Sequence, residues 1–303
     1  MYDFAIIGGG PTGYAAAMYA GRLNLKTIIF TGAPGGLIIT TDFVDNYPGF
    51  KHISGYDLFS NVQEHARSYE ITEISAEATS VRSNDRGAFI IQTKKDSHET
   101  KTVLFATGAS HRKITVPGAA EFENKGIHYC ALCDGFAYKG KIVAIVGGAD
   151  SAAKESLELA QNAEIVYILC RGSALRGEPV NVTRVHQNKK IKLVTNINPV
   201  KIIGKERVEG VELDRPYEGS AILKVQGIFV AIGHIPQSEL SLQLGVLRNE
   251  KKEIVINRFT ETNVHGVYAA GDVSDTPFKQ MIIGCAEGVM AAYRAYEHLA
   301  KAI

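Results

Sequence analysis

One pattern occurs twice in this chain, and it constrains the fold more than any other feature of the sequence. Residues 4–31 read FAIIGGGPTGYAAAMYAGRLNLKTIIFT, and residues 143–170 read VAIVGGADSAAKESLELAQNAEIVYILC. Each is an apolar strand, a glycine-rich turn, a helix-compatible stretch and a second apolar strand. The span from Gly8 to Thr31 equals that from Gly147 to Cys170. A strand–helix–strand unit joins parallel strands. Two of one length predict an α/β chain with two Rossmann-like three-layer domains, the second inserted into the first. Residues 86–107 carry alternating apolar residues, as antiparallel strands returning to a sheet would. The region after the second unit is β-rich as far as Gly233, and residues 284–303 have helical spacing with small residues near their start. The pattern puts the domain crossings near 114 and 242.

Bulk properties narrow the class. A chain of 303 residues is long for a single core and comfortable for two domains. Hydrophobic residues make up 45% and charged ones 21%, the balance of a globular protein. The net charge of +1 supplies no field to recruit nucleic acid or an anionic membrane. No apolar run approaches the roughly 18 residues of a transmembrane helix, and Met1 leads into Phe4-Ala5-Ile6-Ile7 without a basic leader. Four cysteines are too few to staple a secreted scaffold of this size. The expectation is a cytoplasmic protein, with neither nucleic acid nor membrane as partner.

Gly8-x-Gly10-Pro11-x-Gly13 follows the first strand. In such a turn the first glycine permits the bend, the second lets backbone approach a pyrophosphate, and the third lets helix pack on strand. The helix start then offers unpaired N–H groups to the phosphates. The reading is a dinucleotide site, although Thr31 stands where many such folds carry an acid for a ribose hydroxyl. Cys130-Ala131-Leu132-Cys133, just before the second unit, is a spacing that closes a small disulfide ring and lowers one thiol pKa. The same spacing makes half a zinc site, but Cys170 and Cys285 are isolated and no second pair completes it. A redox role is the main reading, with metal or an inert pair as alternatives.

Longer stretches bring a family into view. Gly32-Ala33-Pro34-Gly35-Gly36 followed by Asp45-Asn46-Tyr47-Pro48-Gly49, the turn Ala106-Thr107-Gly108-Ala109, and Thr262 followed by Gly266-Val267-Tyr268-Ala269-Ala270-Gly271-Asp272-Val273 resemble, in order and spacing, the flavin-contacting motifs of low-molecular-weight thioredoxin reductases. Cys130-Ala131-Leu132-Cys133-Asp134 resembles their Cys-Ala-Thr-Cys-Asp. The resemblance covers nearly the whole chain. It implies FAD, held by Gly8, Gly10, Pro11, Gly13, Gly35, Gly36, Asn46, Ala106, Thr107, Gly108, Gly271, Asp272, Lys279 and Gln280. It implies that Cys133 faces the flavin, Cys130 attacks the partner's disulfide, and Asp134 gives and takes the proton, although a plain turn role for Asp134 stays open. His128, two residues before Cys130, reads as a surface histidine. By resemblance, residues 1–113 and 242–303 form an FAD-binding domain and 114–241 an NADPH-binding-like domain. The molecule is then a homodimer whose inserted domain rotates, with Gly118 and Gly233 as hinge candidates.

The second cradle departs from the family. Gly147-Gly148-Ala149-Asp150-Ser151-Ala152 stands where the family has GxGxxA, and Ala149 replaces the glycine nearest the pyrophosphate. Cys170-Arg171-Gly172-Ser173-Ala174-Leu175-Arg176 stands where it has His-Arg-Arg-x-x-x-Arg for the NADPH 2′-phosphate. Gly147, Gly148, Ser151, Arg171 and Arg176 remain as nicotinamide-site candidates, and the two arginines read equally as solvated surface charges. The donor is left between NADPH and ferredoxin or a second flavin, with NADH disfavoured because no acid follows the strand. The expected activity is transfer of electrons through FAD and the Cys130–Cys133 pair to a thioredoxin-like protein. A ferredoxin–NADP reductase-like flavoprotein and a non-enzymatic flavin redox sensor are the rivals.

Overall fold

Residues 1–40, 44 and 46–300 are described by the computed structural model. The chain forms two units, residues 1–110 with 235–303, and residues 111–234. The crossings therefore fall a few residues before the expected 114 and 242, at the two short strands that carry the chain across.

In the first unit, β1 (Tyr2–Ile7) is buried from Phe4 to Ile7, the profile of a strand covered on both faces. It pairs in parallel with β2 (Thr27–Phe30), reached through α1 (Pro11–Arg22). The chain continues through α2 (Gly55–Arg67), whose start is capped by Ser54 Oγ accepting from the Asp57 N–H at 3.0 Å. Then come β3 (Ile71–Ile74), β4 (Ser80–Ser83), β5 (Phe89–Gln92) and β6 (Ser97–Phe105). β5 pairs antiparallel with both β4 and β6, and β6 returns beside β1 in parallel.

β7 (Ala109–His111) leads into the second unit. There β8 (Ile127–His128), the short helix α3 (Ala131–Asp134), β9 (Ile142–Val146), α4 (Asp150–Asn162), β10 (Ile165–Cys170), α5 (Pro179–Gln187) and β11 (Ile191–Thr195) follow in order. An antiparallel sheet comes next, β12 (Pro199–Gly204), β13 (Val208–Tyr217) and β14 (Ser220–Lys224), and then β15 (Gly227–Val230). The main sheet is parallel in the order β11-β10-β9-β15-β8. One core packs its face against α4 and α5, around Ile145, Ala152, Leu159, Ile168 and Phe229. Another packs the opposite face against the antiparallel sheet, around Ile127, Leu169, Ile202, Val211 and Val230. These are the three layers expected of a Rossmann-like domain.

The chain returns through β16 (His234–Pro236), which pairs with β7. β17 (Val267–Ala269) adds to β6 in parallel, and α6 (Met281–Ala300) completes the first unit. Gly118 is no hinge: it lies inside the second unit, where a Cβ would fall 2.7 Å from the Ile202 carbonyl oxygen. Gly233, with φ of +100° and open space around it, stands beside the crossing at 234/235.

Candidate functional site

In the first unit the candidate residues gather at the C-terminal ends of β1, β6 and β17, where ligands bind in open α/β sheets. Gly8 has φ of +130°, and a Cβ there would lie 2.1 Å from the Ala106 carbonyl oxygen. A Cβ on Gly13 would lie 2.0 Å from the Gly8 carbonyl oxygen. These two glycines are thus required by packing alone. Gly10 differs: a Cβ there meets nothing within 4 Å. It is also the N-cap of α1 and supplies no side-chain acceptor, and Pro11 brings no N–H. The remaining first-turn amides are left to an anion. Gly35 donates its N–H to the Gly9 carbonyl at 2.9 Å, and a Cβ on Gly36 would come to 3.8 Å from the Gly10 Cα, so that loop folds over the turn.

The C-terminal motif closes on the same place. Gly271, with φ of +75°, sits where a Cβ would be 2.6 Å from Thr12 Oγ1. Its N–H donates to Glu287 Oε2 at 2.8 Å. Glu287 is a site residue that sequence reasoning missed, because a carboxylate in mid-helix carries no motif. Asp272 is half-buried in the turn before α6. Gln280 Oε1 accepts from Asn46 Nδ2 at 2.9 Å, so two candidates far apart in sequence meet. Asp45, named with Asn46, lies outside the described residues. Lys279 spends its ammonium on the Asp272 and Ser274 carbonyls, at 3.0 and 2.5 Å, and on Glu253 at 3.0 Å. Thr107 donates its hydroxyl to the Gln237 carbonyl at 2.6 Å. These two side chains brace the loops instead of pointing donors at a ligand. Thr31 is buried and donates to the Ile74 carbonyl at 3.3 Å. The open space at Gly10, the uncapped helix start and the convergence of three loops fit a dinucleotide.

The second cradle repeats the first residue by residue. A Cβ on Gly147 would lie 2.4 Å from the Ala231 carbonyl oxygen, as Gly8 stands to Ala106. A Cβ on Gly148 would lie 2.5 Å from Cys170 Sγ, as Gly9 stands to Thr31. Arg176 donates its backbone N–H to the Gly148 carbonyl at 3.0 Å, while the side chains of Arg171 and Arg176 are exposed. Ser151 is half-buried in the first turn of α4. Asp150 begins that helix with a carboxylate that accepts from the Glu178 N–H (2.8 Å) and Asn181 Nδ2 (3.1 Å) and pairs with Lys154 (2.8 Å). Burial works to raise its pKa, but these partners outweigh burial and hold it below the usual carboxylate range. The Asp150 carboxylate is therefore ionised and paired with Lys154 in the first turn of α4.

Cys130 and Cys133 form a disulfide, with Cα atoms 5.3 Å apart. Cys130 is the N-cap of α3, and its sulfur accepts the Cys133 N–H at 3.0 Å. Cys130 is half-buried and Cys133 exposed. Asp134 lies 3.2 Å from His128 Nδ1, and His128 Nε2 lies 2.8 Å from the Tyr138 hydroxyl. The His128 side chain is 10% exposed and stacks on Phe229. His128 is therefore not the surface histidine expected: it ends the innermost-packed segment of β8, and only the tertiary fold brings it to Asp134. Burial lowers its pKa below the histidine range, against the pull of Asp134. Glu155, on α4, accepts the Ala131 N–H between the two cysteines, while its Oε2 is buried without a partner. Burial first, and Glu158 second, push its carboxyl up to about 8. Among the described residues no cluster of three or more His, Cys, Asp or Glu is placed to hold a metal ion. No described helix is long and apolar enough to cross a membrane.

The profile of the pyridine nucleotide-disulphide oxidoreductases matches residues 2–298. A thioredoxin reductase of Mycolicibacterium smegmatis is 35% identical over 304 residues, covering 99% of this chain and 97% of that protein. A bifunctional thioredoxin reductase/thioredoxin of Mycobacterium leprae is 34% identical over 306 residues; this chain spans 66% of its length, and 59% of other longer relatives. Among solved structures, Lactococcus lactis thioredoxin reductase superposes with a TM-score of 0.95 at 31% identity, covering 99% of this chain and 100% of that one. A ferredoxin-flavin thioredoxin reductase from Clostridium acetobutylicum gives a TM-score of 0.52 at 31% identity, covering 99% and 98%.

Proposed function

The chain belongs to the pyridine nucleotide-disulphide oxidoreductase family and is of the low-molecular-weight thioredoxin reductase type, with FAD as cofactor; from that premise we propose that it reduces the disulfide of a thioredoxin-like protein through Cys130 and Cys133. The observation that carries this reading is the accessible Cys130–Cys133 disulfide with Asp134 beside it. Bound FAD would supply two-electron transfer between a donor and that disulfide. Gly8, Gly10, Pro11 and Gly13 would hold its pyrophosphate, and Gly35, Gly36, Asn46, Ala106, Gly108, Gly271, Asp272 and Gln280 would complete the site, with Thr107 and Lys279 bracing their loops.

Cys130 is the attacking thiol. The Cys133 N–H aimed at its sulfur favours a thiolate there. Cys133 then resolves the mixed disulfide, and Asp134 carries the protons. The second cradle supports two readings of the donor. NADPH is a weak donor, held by Gly147, Gly148, Ser151, Arg171 and Arg176. A second reading, with ferredoxin as donor, is favoured by Gly172 in place of a phosphate-binding arginine and by Ala149 in place of a glycine. The homodimer is carried over from the family resemblance, and the cytoplasmic setting from the low cysteine count of the sequence.

Anaerobic titration of the yellow protein with NADPH, and separately with reduced ferredoxin, reads the donor from flavin absorbance. Turnover with oxidised thioredoxin then tests the acceptor. The expected result is reduction of thioredoxin that is abolished by Cys130→Ser and by Cys133→Ser, with only Cys133→Ser trapping a mixed disulfide. Trapping by Cys130→Ser alone would exchange the two roles, and a wild type that leaves thioredoxin oxidised with either donor would sink the reading.

A further inference from the structure

We propose that His128 is a positioning residue for the exchange chemistry: it holds Asp134 through Nδ1 and stores the proton that Asp134 hands to the departing thiolate. This deepens the disulfide-exchange reading and rests on it. Three observations converge. His128 Nδ1 lies 3.2 Å from Asp134. Its Nε2 lies 2.8 Å from the Tyr138 hydroxyl. The imidazole is packed between the Tyr138 ring, edge-on at 5.4 Å, and the stacked ring of Phe229 at 5.4 Å, so its orientation is fixed from both sides.

The chemistry needs such a store. An aliphatic thiolate with a pKa of about 8.5 must be protonated as it leaves, so a proton has to be held close by. An imidazole takes up a proton closer to neutrality than a carboxylate does, although burial lowers His128 below its ordinary range. The charged and titratable groups facing His128 are Asp134, which favours its protonation, and Arg207, which opposes it; Tyr138 faces it as a neutral hydroxyl.

The step balances. The Cys130 thiolate attacks the substrate disulfide, forming the Cys130–substrate bond and breaking the substrate S–S bond. The leaving thiolate takes a proton from Asp134, which His128 replaces through Nδ1. The Cys133 thiol then returns its proton to the pair and attacks the mixed disulfide, restoring Cys130–Cys133 and releasing the second substrate sulfur. Two electrons pass from the dithiol to the substrate, and the Asp134–His128 pair ends as it began.

Leaving-group dependence reads this role, because an aromatic thiolate needs no proton to depart. The holoprotein is reduced to the dithiol, freed of reductant, and mixed with bis(2-hydroxyethyl) disulfide or with 5,5′-dithiobis(2-nitrobenzoate). The ratio of the two rates cancels the thiolate fraction of Cys130. In the wild type this ratio rises as pH falls below the ordinary histidine range, because burial lowers the His128 pKa. In His128→Asn, which keeps a donor toward Asp134 but stores no proton, the aliphatic rate falls about 10- to 100-fold, the aromatic rate stays within about twofold, and the ratio becomes flat with pH. His128→Asn with Asp134→Asn is no slower than Asp134→Asn alone. Equal slowing on both disulfides, an unchanged ratio, or additive effects would overturn the proposal. Should His128→Asn not fold, Tyr138→Phe, which leaves the imidazole in place, must shift the pH at which the ratio rises; no shift overturns it equally. Thioredoxin is absent from this assay, so a failure of the acceptor assignment is seen separately, as turnover lost with thioredoxin but retained with the small disulfides.

Discussion

Gly8 and Gly10 sit two residues apart in one turn and answer to different forces. At Gly8 a side chain would collide with the Ala106 carbonyl at 2.1 Å in a backbone conformation with φ of +130°. Gly8→Ala is therefore expected to destabilise the fold by about 3 kcal/mol or more. At Gly10, φ is −84° and a Cβ meets open space. Gly10→Val should melt like the wild-type apoprotein yet purify colourless, because its side chain fills the room left for the pyrophosphate. Absorbance near 450 nm with a thermal melt separates the two. Glu155 gives a second residue-scale test. Burial pushes its carboxyl up to about 8 in the fold, against an ordinary glutamate value of 4.5. The native state thus holds a proton that the unfolded chain releases, so Glu155 costs stability progressively as pH rises from 4.5 to 8. Glu155→Gln is expected to raise Tm at pH 8.5 by several degrees, at about 2–4 °C per kcal/mol, and to change it little at pH 5. An equal gain at both pH values would refute the buried-proton assignment.

At the scale of elements, α6 matters through its small residues. A Cβ on Gly288 would lie 2.4 Å from the Thr12 carbonyl oxygen, and one on Gly284 would lie 2.4 Å from Thr12 Oγ1. These glycines, four apart on one face, let α6 lie directly on the first turn of α1. Because that turn is the proposed phosphate cradle, Gly288→Leu should lower Tm and weaken FAD retention together, whereas Met290→Leu on the exposed side of the same helix should do neither. Gel filtration followed by the flavin-to-protein absorbance ratio checks it. The small residues at the start of the tail were legible in sequence as helix spacing. That they press on Thr12 was not, because nearly the whole chain separates the two.

For the molecule as a whole, the open question is where electrons enter. A side chain at Gly172 would meet nothing nearer than 3.7 Å, and Ala149 lies in extended backbone, so neither Gly172→Arg nor Ala149→Gly is opposed by packing. A guanidinium–phosphate hydrogen bond is worth about 1.5–3 kcal/mol, or roughly a 10- to 100-fold change in binding. With NADPH as donor, the double variant is expected to lower its KM by at least about tenfold and by more than either single change. If both singles and the double leave flavin reduction by NADPH unchanged while ferredoxin reduces the wild type rapidly, the second cradle serves geometry alone.

The repeated strand–turn–helix pattern by itself determined the class of fold and the two glycine cradles, because a parallel strand buried on both faces must be a continuous apolar run and a tight βα turn must be glycine. The Cys130–Cys133 pair was legible for a similar reason: its two thiols meet through local chain geometry. The tertiary structure decided what depends on distant partners. Gly118 packs on Ile202, Lys279 and Thr107 brace loops, Glu287 anchors Gly271, and His128 reaches Asp134 only because β8 docks at the edge of a parallel sheet and α3 turns back over it. No spacing in the sequence encodes such contacts, since burial and hydrogen-bond partners are fixed by which elements the core brings together.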